Sequence, residues 1–174
     1  MPGSRMARTA FPIRPFHRTD LLPAMLRDAL LLYLHLSAML GLAVFLTAKT
    51  SLTRERAVDQ AVLRRLLRLD LWVWGNLAAV LLSGFALVFW GIKGSQWLLH
   101  NPLLWAKIAL LVLMAAMSLP STRRLSAWGR SARSRIDWVP PEAEIRRERR
   151  WLMAQSHVMV VIPLLAALMS HGFG

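Results

Sequence analysis

The sequence predicts an all-α integral membrane protein that folds as an up-down-up-down four-helix bundle. The chain of 174 residues is 56% hydrophobic, more than is usual for a soluble domain. The excess is concentrated in four apolar runs that contain a single charged residue, Lys107; they are 29–48, 71–92, 102–120 and 151–170. About 20 helical residues cross a hydrocarbon core of about 30 Å. Because backbone groups in lipid must bond to one another, each run predicts a membrane-spanning helix.

These runs set the predicted domain organisation. A four-helix transmembrane domain covers residues 25–174, with spans at about 27–48, 71–92, 102–120 and 151–170. Residues 1–24 contain four prolines and no apolar segment of the kind found in a signal peptide. We expect a disordered N-terminal extension there. Met25 is an alternative start, since it leads directly into the first helix.

Local signals predict where the first three helices begin and end. The first is expected from about Leu26 to Thr47. Apolar residues recur at helical spacing well before the second run, which predicts that the second helix extends from near Thr53 to Ile92. Asn101 is a favourable N-cap before Pro102, and Pro120 is expected to end the third helix.

The third connection, 121–150, is predicted to be long and basic. Near its end, two prolines are followed by Glu142 and Glu144, acids that favour the positive end of a helix dipole. The fourth helix is therefore expected from about Glu142 to Ser170. Pro163 lies inside it and is expected to kink it.

The distribution of positive charge predicts the orientation. The first and third connections, 49–70 and 121–150, carry fifteen Lys and Arg residues, against six on the side of the termini and the second connection. Short cytoplasmic loops carry an excess of basic residues. We therefore expect the first and third connections in the cytoplasm, and both termini on the outer side of a bacterial inner (plasma) membrane.

The net charge of +13 does not predict nucleic-acid binding, because the basic residues lie between the spans without an aromatic platform. The expected partners are the lipid bilayer and, at the basic cytoplasmic loops, anionic lipid headgroups. Gly75, Ala79 and Ser83 are spaced four apart in the second span. Such a stripe of small residues permits close helix approach, and we expect it to favour a homo-oligomer.

Lys107 lies about 8 Å into the outer half of the bilayer. One interpretation is that its ammonium reaches the outer surface beside Trp105. The other is that it faces the bundle interior and holds an anionic ligand or an acidic partner. His35 lies at matched depth in the first span, and Asp28 lies two turns before it. The sequence thus predicts a candidate binding site at His35 and Lys107, and an ion pair between Asp28 and Lys107.

His157 is expected in the inner half of the bilayer, about 12 Å from His35 along the membrane normal. That separation is too large for both to ligate one iron. Asn76 lies at the depth of His157, so we predict a hydrogen bond between the two. No pair of carboxylates, nucleophile motif or metal-ligand spacing is found, so the sequence predicts neither catalytic residues nor a metal site.

Three stretches carry a resemblance to a known family: Leu32-Tyr33-Leu34-His35, Asn101-Pro102-Leu103-Leu104-Trp105-Ala106-Lys107, and Ile162-Pro163-Leu164-Leu165-Ala166-Ala167-Leu168-Met169. They resemble domain-of-unknown-function family 2214, small four-helix bacterial membrane proteins without an established activity. The resemblance covers roughly residues 25–174. It implies a four-helix membrane protein and leaves the role open.

A looser similarity, limited to the helix count, His35 and Lys107, is to the bacterial membrane protoporphyrinogen oxidase. It implies a haem or porphyrin site with His35 as ligand and Lys107 on a propionate. Three hypotheses follow: a membrane protein of non-enzymatic or uncharacterised role, a haem- or porphyrin-binding redox protein, and a small transporter. The absence of acidic residues from the spans argues against the transporter.

Overall fold

The computed structural model describes residues 18–54, 58–91, 95–135 and 137–171. Within them the chain forms five helices: α1 Arg18–Leu52, α2 Gln60–Trp90, α3 Ser95–His100, α4 Pro102–Ser134 and α5 Glu142–Ser170. Four of these, α1, α2, α4 and α5, are long and apolar enough to cross a membrane. The short α3 lies in the second connection and was not expected from the sequence. The prediction of four membrane-spanning helices is confirmed.

The helices begin where the backbone amide groups find side-chain acceptors. The Asp59 carboxylate accepts a hydrogen bond of 2.7 Å from the Val62 amide, which caps α2 and starts it at Gln60. The predicted start near Thr53 is therefore wrong. Apolar residues keep helical spacing before Gln60, but the chain at Thr53 forms a turn. Asn101 caps α4 as predicted, accepting 2.8 Å from the Leu103 amide.

The predicted end of the third span at Pro120 is wrong, because α4 continues through Pro120 to Ser134. Proline removes one backbone donor, and neighbouring polar side chains can take up freed backbone groups. Residues beyond the proline also pack against neighbouring helices, since Leu125 and Trp128 are buried in an apolar cluster, and this packing offsets the lost hydrogen bond. The third connection consequently spans only residues 135–141. The predicted α5 bounds, Glu142 to Ser170, are confirmed.

The first helix is longer than predicted at both ends, running from Arg18 to Leu52 rather than from Leu26 to Thr47. Of the extension predicted as disordered, residues 1–17 lie outside the described residues and 18–24 form the first turns of α1.

The four long helices form a closed ring in which α1 packs on α2, α2 on α4, α4 on α5, and α5 on α1. Two apolar clusters fill it. The middle core lies within the apolar runs and consists of Leu42, Leu46, Val73, Leu77, Met114, Leu152, Met159 and Ile162. The basic-end core lies beyond those runs and consists of Val58, Val62, Leu63, Leu66, Leu125, Trp128 and Ile145. The helices thus continue as a packed bundle past the membrane-spanning length.

The outer surface of the bundle is apolar where the helices would meet lipid. Leu40, Leu82, Val112 and Val160 are each more than half exposed. An exposed apolar surface of this kind would be costly in water and is expected in a bilayer.

Candidate functional site

A layer of charged and polar side chains separates the middle core from the basic-end core. We call it the ionic layer, and it consists of Lys49, Asp70, Ser121, Arg124 and Glu148. Each long helix contributes at least one member. Every member except Arg124 is buried, and Ser121 and Glu148 have no exposed surface. Ionisable groups this deeply buried in a membrane bundle are functional candidates.

Lys49 on α1 is the hub of one half of the layer. Its ammonium donates to the Asp70 carboxylate on α2 at 2.5 Å and to the Ser121 hydroxyl on α4 at 2.8 Å. Lys49 is 1% exposed, so its charge is balanced by these partners rather than by solvent. Two charges taken out of water are tolerated only with such close pairing and added hydrogen bonds.

Glu148 on α5 anchors the other half. The Ser121 hydroxyl, having accepted from Lys49, donates its own hydrogen to the Glu148 carboxylate. The second Glu148 oxygen lies 2.7 Å from the Arg124 Nε on α4. That contact is an ion pair without hydrogen-bond alignment, so Arg124 and Glu148 keep unused hydrogen-bonding capacity inside the bundle. Two cations and two anions make the layer formally neutral.

The polar interior continues from this layer towards the middle of the membrane-spanning section. Gln155 on α5 is 1% exposed. Its amide nitrogen donates to the Ser118 hydroxyl at 2.6 Å and to the Met114 carbonyl at 3.1 Å, both on α4. Beyond Met114 the described interior is the apolar middle core.

A second polar site lies at the opposite end of the bundle, between α1 and α2. We call it the His35 site. The His35 Nδ1 lies 2.9 Å from the Ser83 hydroxyl, and that hydroxyl donates to the Ala79 carbonyl at 2.5 Å. Because a hydroxyl has one hydrogen to give, the His35 Nδ1–H is the donor to Ser83. A neutral His35 then carries its lone pair on Nε2.

The structure brings the predicted partner Lys107 towards this site. Lys107 is half-buried, and its charge interacts with the imidazole of His35. Both interpretations of Lys107 stay predictions. Asp28 lies at the same end, where its carboxylate approaches the backbone of Gly91. The ion pair between Asp28 and Lys107 stays a prediction.

The two polar sites are built on the same three helices. From His35 to Lys49 on α1 is 14 residues, from Asp70 to Ser83 on α2 is 13, and from Lys107 to Ser121 on α4 is 14. The members of each pair are separated by nearly four helical turns on α1 and α4 and by about three and a half on α2, or about 20 Å along the axis. The bundle therefore presents two polar levels, one at each end of its apolar middle.

The family comparison agrees with this architecture. A family model described as "Predicted membrane protein (DUF2214)" matches residues 27–174. The chain belongs to this family. Both the ionic layer and the His35 site fall inside the matched region.

No curated protein and no solved structure matches the chain. These comparisons do not show the looser similarity to the membrane protoporphyrinogen oxidase, which rests on His35, Lys107 and the helix count alone. The DUF2214 description names a membrane location and no activity.

Sequence reasoning missed the ionic layer because its residues were read as connection charges that set orientation. A usable signal was present, since the charged residues keep the spacing of the buried apolar ones. Asp70 lies four residues after Leu66 and three before Val73, and Glu148 lies three residues after Ile145 and four before Leu152. A charge in phase with a core stripe faces the interior.

One further prediction about packing is wrong. Asn76 and His157 do not bond to each other: Asn76 donates to the Trp72 carbonyl, and the His157 ring bonds to the Met153 carbonyl on the exposed face of α5. Within the described part of the chain, a Cβ at Gly75 would meet nothing within 4 Å. The homo-oligomer expected from the small-residue stripe stays a prediction. The equal depths of Asn76 and His157 did not place them on facing sides of the two helices.

Proposed function

We propose that the protein has a non-enzymatic role as a small proton-translocating transporter, and that the ionic layer is its proton site. The observation that carries the proposal is the directed chain from the Lys49 ammonium through the Ser121 hydroxyl to the Glu148 carboxylate. The absence of acidic residues from the spans argued against a transporter. Asp70 and Glu148, just outside those spans, are acids buried inside the bundle.

The chain can transfer one proton from Lys49 to Glu148 within the layer, and net translocation requires that Lys49 regains a proton from one side of the membrane and Glu148 releases its proton to the other. Lys49 gives a proton to the Ser121 oxygen while Ser121 gives its own hydrogen to Glu148. The ammonium becomes a neutral amine, the carboxylate becomes a neutral acid, and Ser121 is unchanged. Arg124 pairs with Glu148, and its side chain is 23% exposed. The Glu148 end of the chain is therefore next to the partly exposed side of the layer.

Proton flux into proteoliposomes loaded with a pH-sensitive dye tests this proposal. Under an imposed membrane potential, the wild-type protein should acidify the lumen faster than empty vesicles. Glu148→Gln should reduce the rate to the empty-vesicle level, because an amide neither accepts nor releases the transferred proton. Glu142→Gln is the matched control, since Glu142 lies on the same helix with a side chain 73% exposed and paired to Arg146 at the surface.

A wild-type rate equal to that of empty vesicles would refute proton translocation. An unchanged rate in Glu148→Gln would refute the role of the ionic layer even if flux is present. Equal losses in both variants would show a general charge effect rather than a proton site.

A second proposal concerns the His35 site, which we suggest binds haem or a porphyrin. The supporting observation is the Nδ1–H donated to Ser83, which directs the lone pair to Nε2, the arrangement that orients metal-binding histidines. Lys107 would supply positive charge for a propionate. The purified protein should then show a Soret band that is lost in His35→Ala and kept in His157→Ala. A colourless wild-type protein from haem-replete cells would contradict the proposal.

For location we propose the bacterial inner membrane, with the first and third connections in the cytoplasm and anionic lipid headgroups against them. The support is the excess of Lys and Arg in 49–70 and 121–150. A C-terminal alkaline phosphatase fusion should be active, and a C-terminal fluorescent reporter that matures only in the cytoplasm should be dark. The reverse result would overturn the orientation.

A further inference from the structure

A groove with a volume of about 530 Å³ runs between α1 and α2 at the basic end of the bundle. It lies outside the ionic layer and uses different side chains. Its walls are apolar apart from two arginines and a serine; the lining residues are Phe45, Ala48, Ser51, Leu52, Arg65, Arg68, Leu69 and Trp72.

The groove crosses the edge of the apolar runs. Phe45 and Trp72 stack on each other with ring centroids 5.5 Å apart, and Trp72 remains 57% exposed. These rings lie inside the apolar runs. Arg68 and Arg65 precede Trp72 by one and two turns, about 6 and 10 Å along the helix. A ligand in the groove therefore meets aromatic surface at one end and positive charge at the other.

Arg65 and Arg68 are exposed and lie three residues apart, so they share one face of α2. No ion pair formed within the described residues involves either of them. A guanidinium matches the geometry of a phosphate oxygen pair and binds it with two hydrogen bonds. Two such groups side by side favour an anion with a phosphate.

We propose that this groove binds one anionic phospholipid, with its phosphate on Arg65 and Arg68 and an acyl chain along Phe45 and Trp72. This proposal rests on the contact between anionic lipid headgroups and the basic end proposed above, and it assigns that contact to one groove. It does not depend on proton translocation. A lipid is favoured over a soluble anion because half of the groove is apolar. The spacing also matches a lipid, whose phosphate lies just beyond the hydrocarbon.

Native mass spectrometry of the detergent-purified full chain tests this site by titration with phosphatidylglycerol, phosphatidylcholine and sn-glycerol phosphate. The wild-type protein should retain one phosphatidylglycerol more tightly than phosphatidylcholine. Arg65→Gln/Arg68→Gln should weaken its retention about tenfold or more. Arg147→Gln/Arg150→Gln is the matched control, because these arginines are exposed on α5 at the same spacing and end of the bundle.

The outcomes distinguish lipid binding in the groove from a general attraction of anionic headgroups to the basic end. Equal weakening in both double variants would overturn the groove site and leave a diffuse attraction to the basic end. Equal retention of phosphatidylglycerol and phosphatidylcholine by the wild type would overturn both. Displacement of the lipid by sn-glycerol phosphate at equal concentration would overturn the lipid assignment. All four substituted arginines are exposed, so both double variants should fold, which thermal unfolding checks.

Discussion

The ionic layer and the His35 site are two polar levels of one bundle, and they are built in opposite ways. The ionic layer draws on all four long helices, is formally neutral and is almost wholly buried. The His35 site consists of hydrogen bonds from His35 on α1 to Ser83 and to the Val80 backbone on α2, with Lys107 nearby on α4, and His35 is only half-buried. The ionic layer therefore links all four long helices, whereas the His35 site links α1 to α2.

The difference shows that charge near a membrane edge has two distinct uses in this chain. Arg65 and Arg68 are exposed beside the bundle, whereas Lys49 and Glu148 are enclosed within it. Exposed charges contribute little to stability and much to orientation and lipid contact. Enclosed charges hold the helix register or carry chemistry, because leaving any one of them unpaired is costly.

The largest expected effect comes from breaking one pair of the ionic layer. Lys49→Met leaves Asp70 buried without its cation and should lower the free energy of unfolding by about 3–5 kcal/mol. Lys49→Met/Asp70→Leu removes both charges and should recover most of that loss, since an apolar pair of similar volume packs well. Thermal unfolding in one mild detergent measures both variants.

The double variant also separates structure from function. If the ionic layer only fastens helices, Lys49→Met/Asp70→Leu should keep the wild-type proton flux once it is stable. If the layer is the proton site, flux is lost while the fold is kept. A double variant less stable than Lys49→Met would contradict the pairing of Lys49 with Asp70.

The sequence was sufficient to predict the four spans because apolar length is a local property that each run carries by itself. It predicted α5 correctly from the Pro141, Glu142 and Glu144 start. It failed at Pro120, where proline was given more weight than the core stripe that continues through Leu125 and Trp128. A proline ends a helix only where no packing beyond it offsets the lost donor.

The candidate sites depended on facts that no single helix carries. Depth along the membrane normal follows from counting residues, and the charge of Lys107 interacts with the imidazole of His35. Rotation about each helix axis decides which depth-matched residues meet, and it placed Asn76 and His157 on faces that do not meet. To predict the ionic layer, one must know the depth and the rotation of residues on four helices. The spacing of buried residues along each helix indicates both only weakly.

The smallest expected effect tests whether the His35 imidazole has a fixed position against α2. Gly75→Ala places a Cβ where nothing lies within 4 Å, so it should raise stability by about 0.5–1 kcal/mol through helix propensity. Gly84→Ala places its Cβ 3.3 Å from the His35 Cε1, tight enough to push the imidazole away from Ser83. That strain should cancel the propensity gain, leaving the two variants about 2–4 °C apart in Tm. Equal gains from both would show that the imidazole moves freely, and the His35 site would then lack the rigidity that ligand binding requires.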